Sequence, residues 1–174
     1  RNSGSGNDVH TIRDMAFGNG QFIAVDDAHH FYSSGSGGLW FRSTNDNAGT
    51  SISFCNGLFF VSSGPGTNLV STNSSSWSIL TNTTGQTFQR IVYSSGIYLA
   101  LSETNVFSST NGTNWVQQAL PATDVILTDV VIGSRNAVVL GYWKIGSGFP
   151  FRHVPVGFVT DPFVSLSANA SFPP

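Results

Sequence analysis

The sequence predicts an all-β fold: a β-propeller with about four blades of four short antiparallel strands, complete as four or part of a larger ring. Three observations predict it. An apolar strand, a polar turn and a second apolar strand recur four times. Phe17, Phe54, Tyr93 and Ile132 hold the same place in each copy, spaced 37, 39 and 39 residues apart. A polar turn closing on tryptophan recurs three times, with Trp40, Trp77 and Trp115 spaced 37 and 38 residues apart. Finally, the composition is poor in helix formers. Charged residues make up 9%, with Lys144 the only lysine and Glu103 the only glutamate, against about 25% in ordinary soluble domains. Gly, Ser, Thr and Asn take their place, which favours turns and strands. One four-stranded sheet cannot bury both of its faces, whereas sheets stacked around an axis bury them between neighbours. The repeat also matches the roughly 40–45 residues of known four-stranded blades.

Taken in order, residues 1–11 are Gly/Ser/Asn-rich and read as a linker. Repeats follow near 12–48, 49–87, 88–126 and 127–158, and 159–174 read as a closing strand or tail. The first hairpin runs from Met15 to Val25, the second from Ile52 to Val61, the third from Ile91 to Leu101 and the fourth from Val130 to Leu140. Asn19-Gly20 and Asn56-Gly57 are strong two-residue hairpin signals, because both residues tolerate the positive φ that a twist-matched turn needs. Ser95-Gly96 is a weaker version. Third strands are expected at His30–Ser33, Leu69–Ser71 and Val106–Ser108, followed by the Ser…Trp turn and a fourth strand begun by the tryptophan. Phe17, Phe22, Phe54, Phe59, Tyr93 and Tyr98 flank the hairpins at fixed repeat positions and are expected to pack between blades. The fourth repeat has no Ser…Trp turn. Strand-like stretches near Gly157–Thr160 and Phe163–Ala168 follow it.

Ser109-Thr110-Asn111-Gly112-Thr113-Asn114-Trp115 resembles the Asp-box of bacterial-neuraminidase-type propellers, usually written S-x-D-x-G-x-x-W. The resemblance covers about 12–158. It implies a turn between the third and fourth strands, held by side-chain bonds to backbone N–H groups, with the Trp packed between blades and the box away from the functional site. Matching positions are Ser109, Asn111, Gly112 and Trp115, then Ser71, Asn73 and Trp77, and in the first repeat Ser34, Gly37 and Trp40. Asn stands where the family has Asp, and Ser36 takes that place in the first copy.

A net charge of −2 gives no electrostatic footprint for nucleic acid. No apolar run reaches the roughly 18 residues of a membrane span, so no membrane insertion is expected. Cys55 is alone and reads as a buried thiol at a strand end. No metal and no cofactor are expected: Asp26-Asp27-Ala28-His29-His30 reads as a solvated hairpin turn, and neighbouring strand residues point to opposite faces. Neuraminidases of the resembling family use three arginines, a Tyr/Glu nucleophile pair and an acid. Here Glu103 lies in the turn Ser102-Glu103-Thr104-Asn105, so no catalytic residue is assigned. The irregular fourth repeat offers the candidate contact surface: Tyr142, Trp143, Lys144, Phe149, Phe151, Arg152 and His153. The expected function is non-enzymatic, on a virion surface, as a phage tail, fibre or capsid-surface component. Its partners would be other virion or surface proteins or a cell-surface glycan, with a homo-oligomer as one arrangement. The alternatives are a bacterial secreted or periplasmic assembly scaffold and a glycan hydrolase fragment.

Overall fold

A computed structural model describes residues 10–43, 49, 51–120, 125–133, 137–143 and 153–156. All regular structure among them is antiparallel β. Blade 1 is β1 (Ile12–Gly18), β2 (Gln21–Asp26), β3 (Phe31–Ser34) and β4 (Phe41–Arg42). Blade 2 is β5 (Ile52–Cys55), β6 (Leu58–Gly64), β7 (Thr67–Ser71) and β8 (Ser78–Thr81). Blade 3 is β9 (Arg90–Ser94), β10 (Ile97–Leu101), β11 (Val106–Ser109) and β12 (Val116–Gln118). Blade 4 has three described strands, β13 (Val125–Ile132), β14 (Ala137–Trp143) and β15 (His153–Val156). Strands pair in chain order within every blade. The stretches 157–160 and 163–168 lie outside the described residues.

The two-residue hairpins set the register. Asn19 and Gly20 (φ 48° and 75°), Asn56 and Gly57 (50° and 79°), and Ser95 and Gly96 (51° and 86°) all have positive φ. They close Gly18 on Gln21, Cys55 on Leu58 and Ser94 on Ile97. Both turn residues in the left-handed region match the right-handed twist of the strands they join. Third strands differ slightly from expectation, since ladder bonds carry β3 and β11 through the serine of the turn and start β7 at Thr67. The fourth strands begin one residue after the tryptophan, whose indole is committed to the turn.

Three apolar clusters form the seams. Ile23, Val25 and Phe31 of blade 1 meet Ile52, Phe59 and Val61 of blade 2. Cys55 and Phe60 of blade 2 meet Ile91, Tyr98, Phe107 and Trp115 of blade 3. Leu99, Leu101 and Val106 of blade 3 meet Val125, Val130 and Val139 of blade 4. Strand alternation lets each blade present one apolar set backward and another forward. Side-chain bonds add to the seams: Asn19 Nδ2 donates to Gly57 O and Thr72 O, both at 2.9 Å, and Asn56 Nδ2 donates to Tyr98 Oη at 2.8 Å. Gly18 is a packing requirement of the first seam. A Cβ there would lie 2.1 Å from the Phe54 ring.

The innermost strands line up as β1, β5, β9 and β13, each packed on the next. Among the described residues no comparable packing joins β13 to β1, so the described strands form an open arc. This corrects one expectation: Phe54, Phe59, Tyr93 and Tyr98 pack at seams, but Phe17, at the same repeat position, stands on the open side of blade 1 and is exposed. Phe22 beside it packs on Phe17 and Trp40 of its own blade.

Candidate functional site

The inner strands enclose a groove of about 430 Å³. Met15 and Phe17 line it from β1, Phe54 from β5, Arg90 and Tyr93 from β9, and Val131 from β13. Its side chains are mainly apolar and aromatic, and Arg90 is the cation in the lining. Arg90 Nε lies 3.3 Å from Asp129 Oδ1, an ion pair across the seam of blades 3 and 4 whose angle is too bent for a hydrogen bond. Phe54 and Tyr93 are half-buried in the seams, so the groove offers a ligand chiefly the exposed Phe17 ring and one guanidinium. Among the described residues it presents no nucleophile beside a base.

The three Ser…Trp turns share one geometry. The first serine's Oγ accepts the N–H three residues on: Gly37 to Ser34 at 2.8 Å, Ser74 to Ser71 at 2.9 Å and Gly112 to Ser109 at 2.9 Å. Asn73 Oδ1 accepts the N–H groups of Ser75 and Ser76, and Asn111 Oδ1 those of Thr113 and Asn114. Each indole then donates back to the carbonyl three residues earlier, at 3.0, 3.1 and 3.0 Å for Trp40, Trp77 and Trp115. The residue bearing that carbonyl always has positive φ: Gly37, Ser74 and Gly112. These polar atoms are spent on the turn itself, as in Asx- and ST-turns.

The tryptophans differ in what they cover. Trp115 is buried, edge-on to Phe88 and Tyr98. Trp77 stacks on Phe31 of blade 1, with centroids 4.5 Å apart and planes 16° apart. Trp40 belongs to the first blade, meets no preceding blade, and is exposed. The expectation that every box tryptophan packs between blades therefore fails at Trp40, because the arc is open there.

The solvated-turn reading of 26–30 holds at Asp27 and His29, which are exposed, and is corrected at Asp26. Asp26 is fully buried. Its Oδ1 accepts the Ala28 and His30 N–H groups, and its Oδ2 accepts His30 Nδ1–H and the Tyr32 hydroxyl, each at 2.9 Å. Burial alone would raise its pKa, but these hydrogen bonds outweigh burial and hold it at about 2. His10, Asp26 and His30 bring possible metal-ligand atoms within 4.8 Å of one another. Asp26 with Ala28, His30 and Tyr32 holds the β2–β3 turn, and His10 packs edge-on against His30 with centroids 4.9 Å apart. The signal available in the sequence was continuity: Asp26 ends the run Ile23-Ala24-Val25, which is buried on both faces of β2, and its repeat equivalent Ser102 is likewise buried.

Glu103 is exposed in its turn, and its backbone carbonyl accepts Leu127 N–H from blade 4 at 2.8 Å. Arg13 lies on β1, 3.7 Å from Asp27; Arg42 lies on outermost β4; and Arg90 lies on innermost β9. Cys55 is buried, its Sγ donates to Ile91 O at 3.2 Å, and desolvation pushes its pKa up to about 12 despite nearby Arg90. Among the candidate surface residues, Tyr142 and Trp143 end β14 and His153 begins β15, with Tyr142 and His153 in register. They share one end of blade 4. Lys144, Phe149, Phe151 and Arg152 lie outside the described residues.

A polar pair went unnoticed in the sequence. Asn68 and Ser62 face each other across β6 and β7, and both are buried. Neither Asn68 amide atom nor Ser62 Oγ has a hydrogen-bond partner. Phe31 and Val106 occupy the position of Asn68 in the flanking blades, so comparing repeats position by position would have exposed it.

No family model matches the sequence, and no curated protein matches it. Solved structures do. The chain is similar to YCF48 bound to D1 peptide, with a TM-score of 0.53 and 15% identity, over 79% of this chain and 49% of that one. It is similar to the WD40 β-propeller domain of Doa1, with a TM-score of 0.56 and 14% identity, over 79% and 49%. It is also similar to the computationally designed Ika4 protein, with a TM-score of 0.54 and 11% identity, over 88% and 95%. The chain spans about half the length of the first two. At these identities the likeness is one of fold, and the fold is a β-propeller.

Proposed function

We propose that this chain is a non-enzymatic binding and scaffold propeller displayed on a surface, with a phage tail, fibre or capsid-surface component as its setting and host-surface glycan as the ligand class. The observation that carries the binding reading is the inner-strand groove, lined by Phe17, Phe54, Tyr93 and Arg90. Aromatic faces with a cation beside them suit sugar rings and planar side chains. The composition supports an exposed particle: one lysine, one glutamate and abundant Ser, Thr, Asn and Gly.

A glycan array probed with the intact chain tests the ligand class. Binding to a defined glycan, weakened at least tenfold by Arg90→Ala, is the expected result, and an empty array overturns glycan attachment. Turnover of a fluorogenic sialoside that disappears in Glu103→Gln would overturn the non-enzymatic reading.

A further inference from the structure

The two ends of the arc present the two halves of one seam. At each internal seam, the later blade contributes a backward-facing set, such as Ile52, Phe54, Phe59 and Trp77 in blade 2. Blade 1 carries the same set as Met15, Phe17, Phe22 and Trp40, with no described strand against it. Met15 is 57% exposed, Phe17 56% and Trp40 37%. The earlier blade contributes a forward-facing set, such as Val92, Leu99 and Leu101 in blade 3. Blade 4 carries it as Val131, Val138 and Leu140, which are 61%, 42% and 40% exposed. Leu39, next to Trp40, is also exposed where blades 2 and 3 have Ser76 and Asn114.

We propose that a second copy of this chain completes the ring. Blade 4 of each copy packs on blade 1 of the other, so the same seam forms twice about one two-fold axis. Three arguments carry this. The docking faces continue an interface that the chain already makes three times, with apolar residues at the same repeat positions. Doubling four blades stays within the roughly 4–8 blades of closed propellers. The arc also superposes on about half of a larger propeller domain, as a half ring does. In the closed ring the inner strands of the second copy would extend the inner-strand groove into a channel. The inference goes beyond the surface and glycan reading and is tested by mass rather than by glycan binding, but the two share Phe17, which the closed seam takes up.

Sedimentation velocity and light scattering of the intact chain at micromolar concentration are expected to give twice the mass of one chain. Phe17→Glu and Val138→Lys change exposed side chains on opposite ends, and each alone is expected to weaken association at least tenfold while circular dichroism stays unchanged. Mixing the two variants restores the dimer, since one seam is then native and the other pairs opposite charges. That rescue belongs to head-to-tail packing and fails for a face that pairs with itself. A chain that stays monomeric at about 100 μM overturns the proposal, as does a dimer that survives both substitutions, or a mass above two copies. Those results would assign the open faces to other chain segments, another protein or an unclosed array.

Discussion

Asp26 illustrates how a single carboxylate fixes a turn. Four donors converge on two oxygens in a site closed to water, which is where charge-assisted bonds are strongest. Its pKa falls from 3.8 to about 2 on folding. A lowered carboxylate pKa stabilises the fold fully above the unfolded value, and that stabilisation fades as pH drops through the folded one. Asp26 is thus expected to contribute about 2 kcal/mol at neutral pH, lost between about pH 4 and pH 2. Urea titrations across that range should show the acid slope in the parent chain and a shallower one in Asp26→Asn, which starts less stable at pH 7. An unchanged slope would show that the carboxylate does not hold its charge against protonation. The residue reads as solvated from sequence because Asp-Asp-Ala-His-His is polar by type, whereas β2 is buried on both faces from Ile23 through Asp26.

At the scale of the element, the hairpins and the Ser…Trp turns were the legible part of the chain. Their residues act within three or four positions of themselves. Asn19-Gly20 and Ser71…Trp77 therefore carry their own geometry wherever the blade sits. Seam contacts depend on which blades are neighbours, and local pattern does not encode that. Asn68 is the clearest case: its amide is buried between blades 2 and 3 without a partner. An unpaired buried polar group costs about 1–3 kcal/mol, and the flanking repeats use Phe31 and Val106 there. Asn68→Val is expected to raise the urea midpoint by an amount equivalent to about 1–3 kcal/mol. A loss of stability instead would reveal a polar partner for this amide in solution. The candidate surface of the fourth repeat was legible only as a break in the pattern, since the missing Ser…Trp turn removes the signal that places its residues.

For the whole molecule, the repeat period announced blades but not closure. Blade count depends on the angle between neighbouring sheets, which arises from seam packing such as the Phe54 ring against Gly18. Terminal faces look like internal faces in sequence, so Phe17 read as core and stands exposed. If those faces close against a second copy, association is linked to folding and stability depends on concentration. The thermal midpoint of the intact chain should rise by several degrees between about 1 and 100 μM, and by much less in Phe17→Glu. One end of the arc carries Met15, Phe17 and Trp40 and the other Val131, Val138 and Leu140, so copies that join one end to the other add nose to tail and form an assembly with a direction. A head-to-tail contact that meets itself yields a particle of fixed size; one that misses yields a growing fibre. Gly18 sits at that fork. A side chain there would press on the Phe54 ring and open the first seam; a ring closed by two copies would then miss its own end.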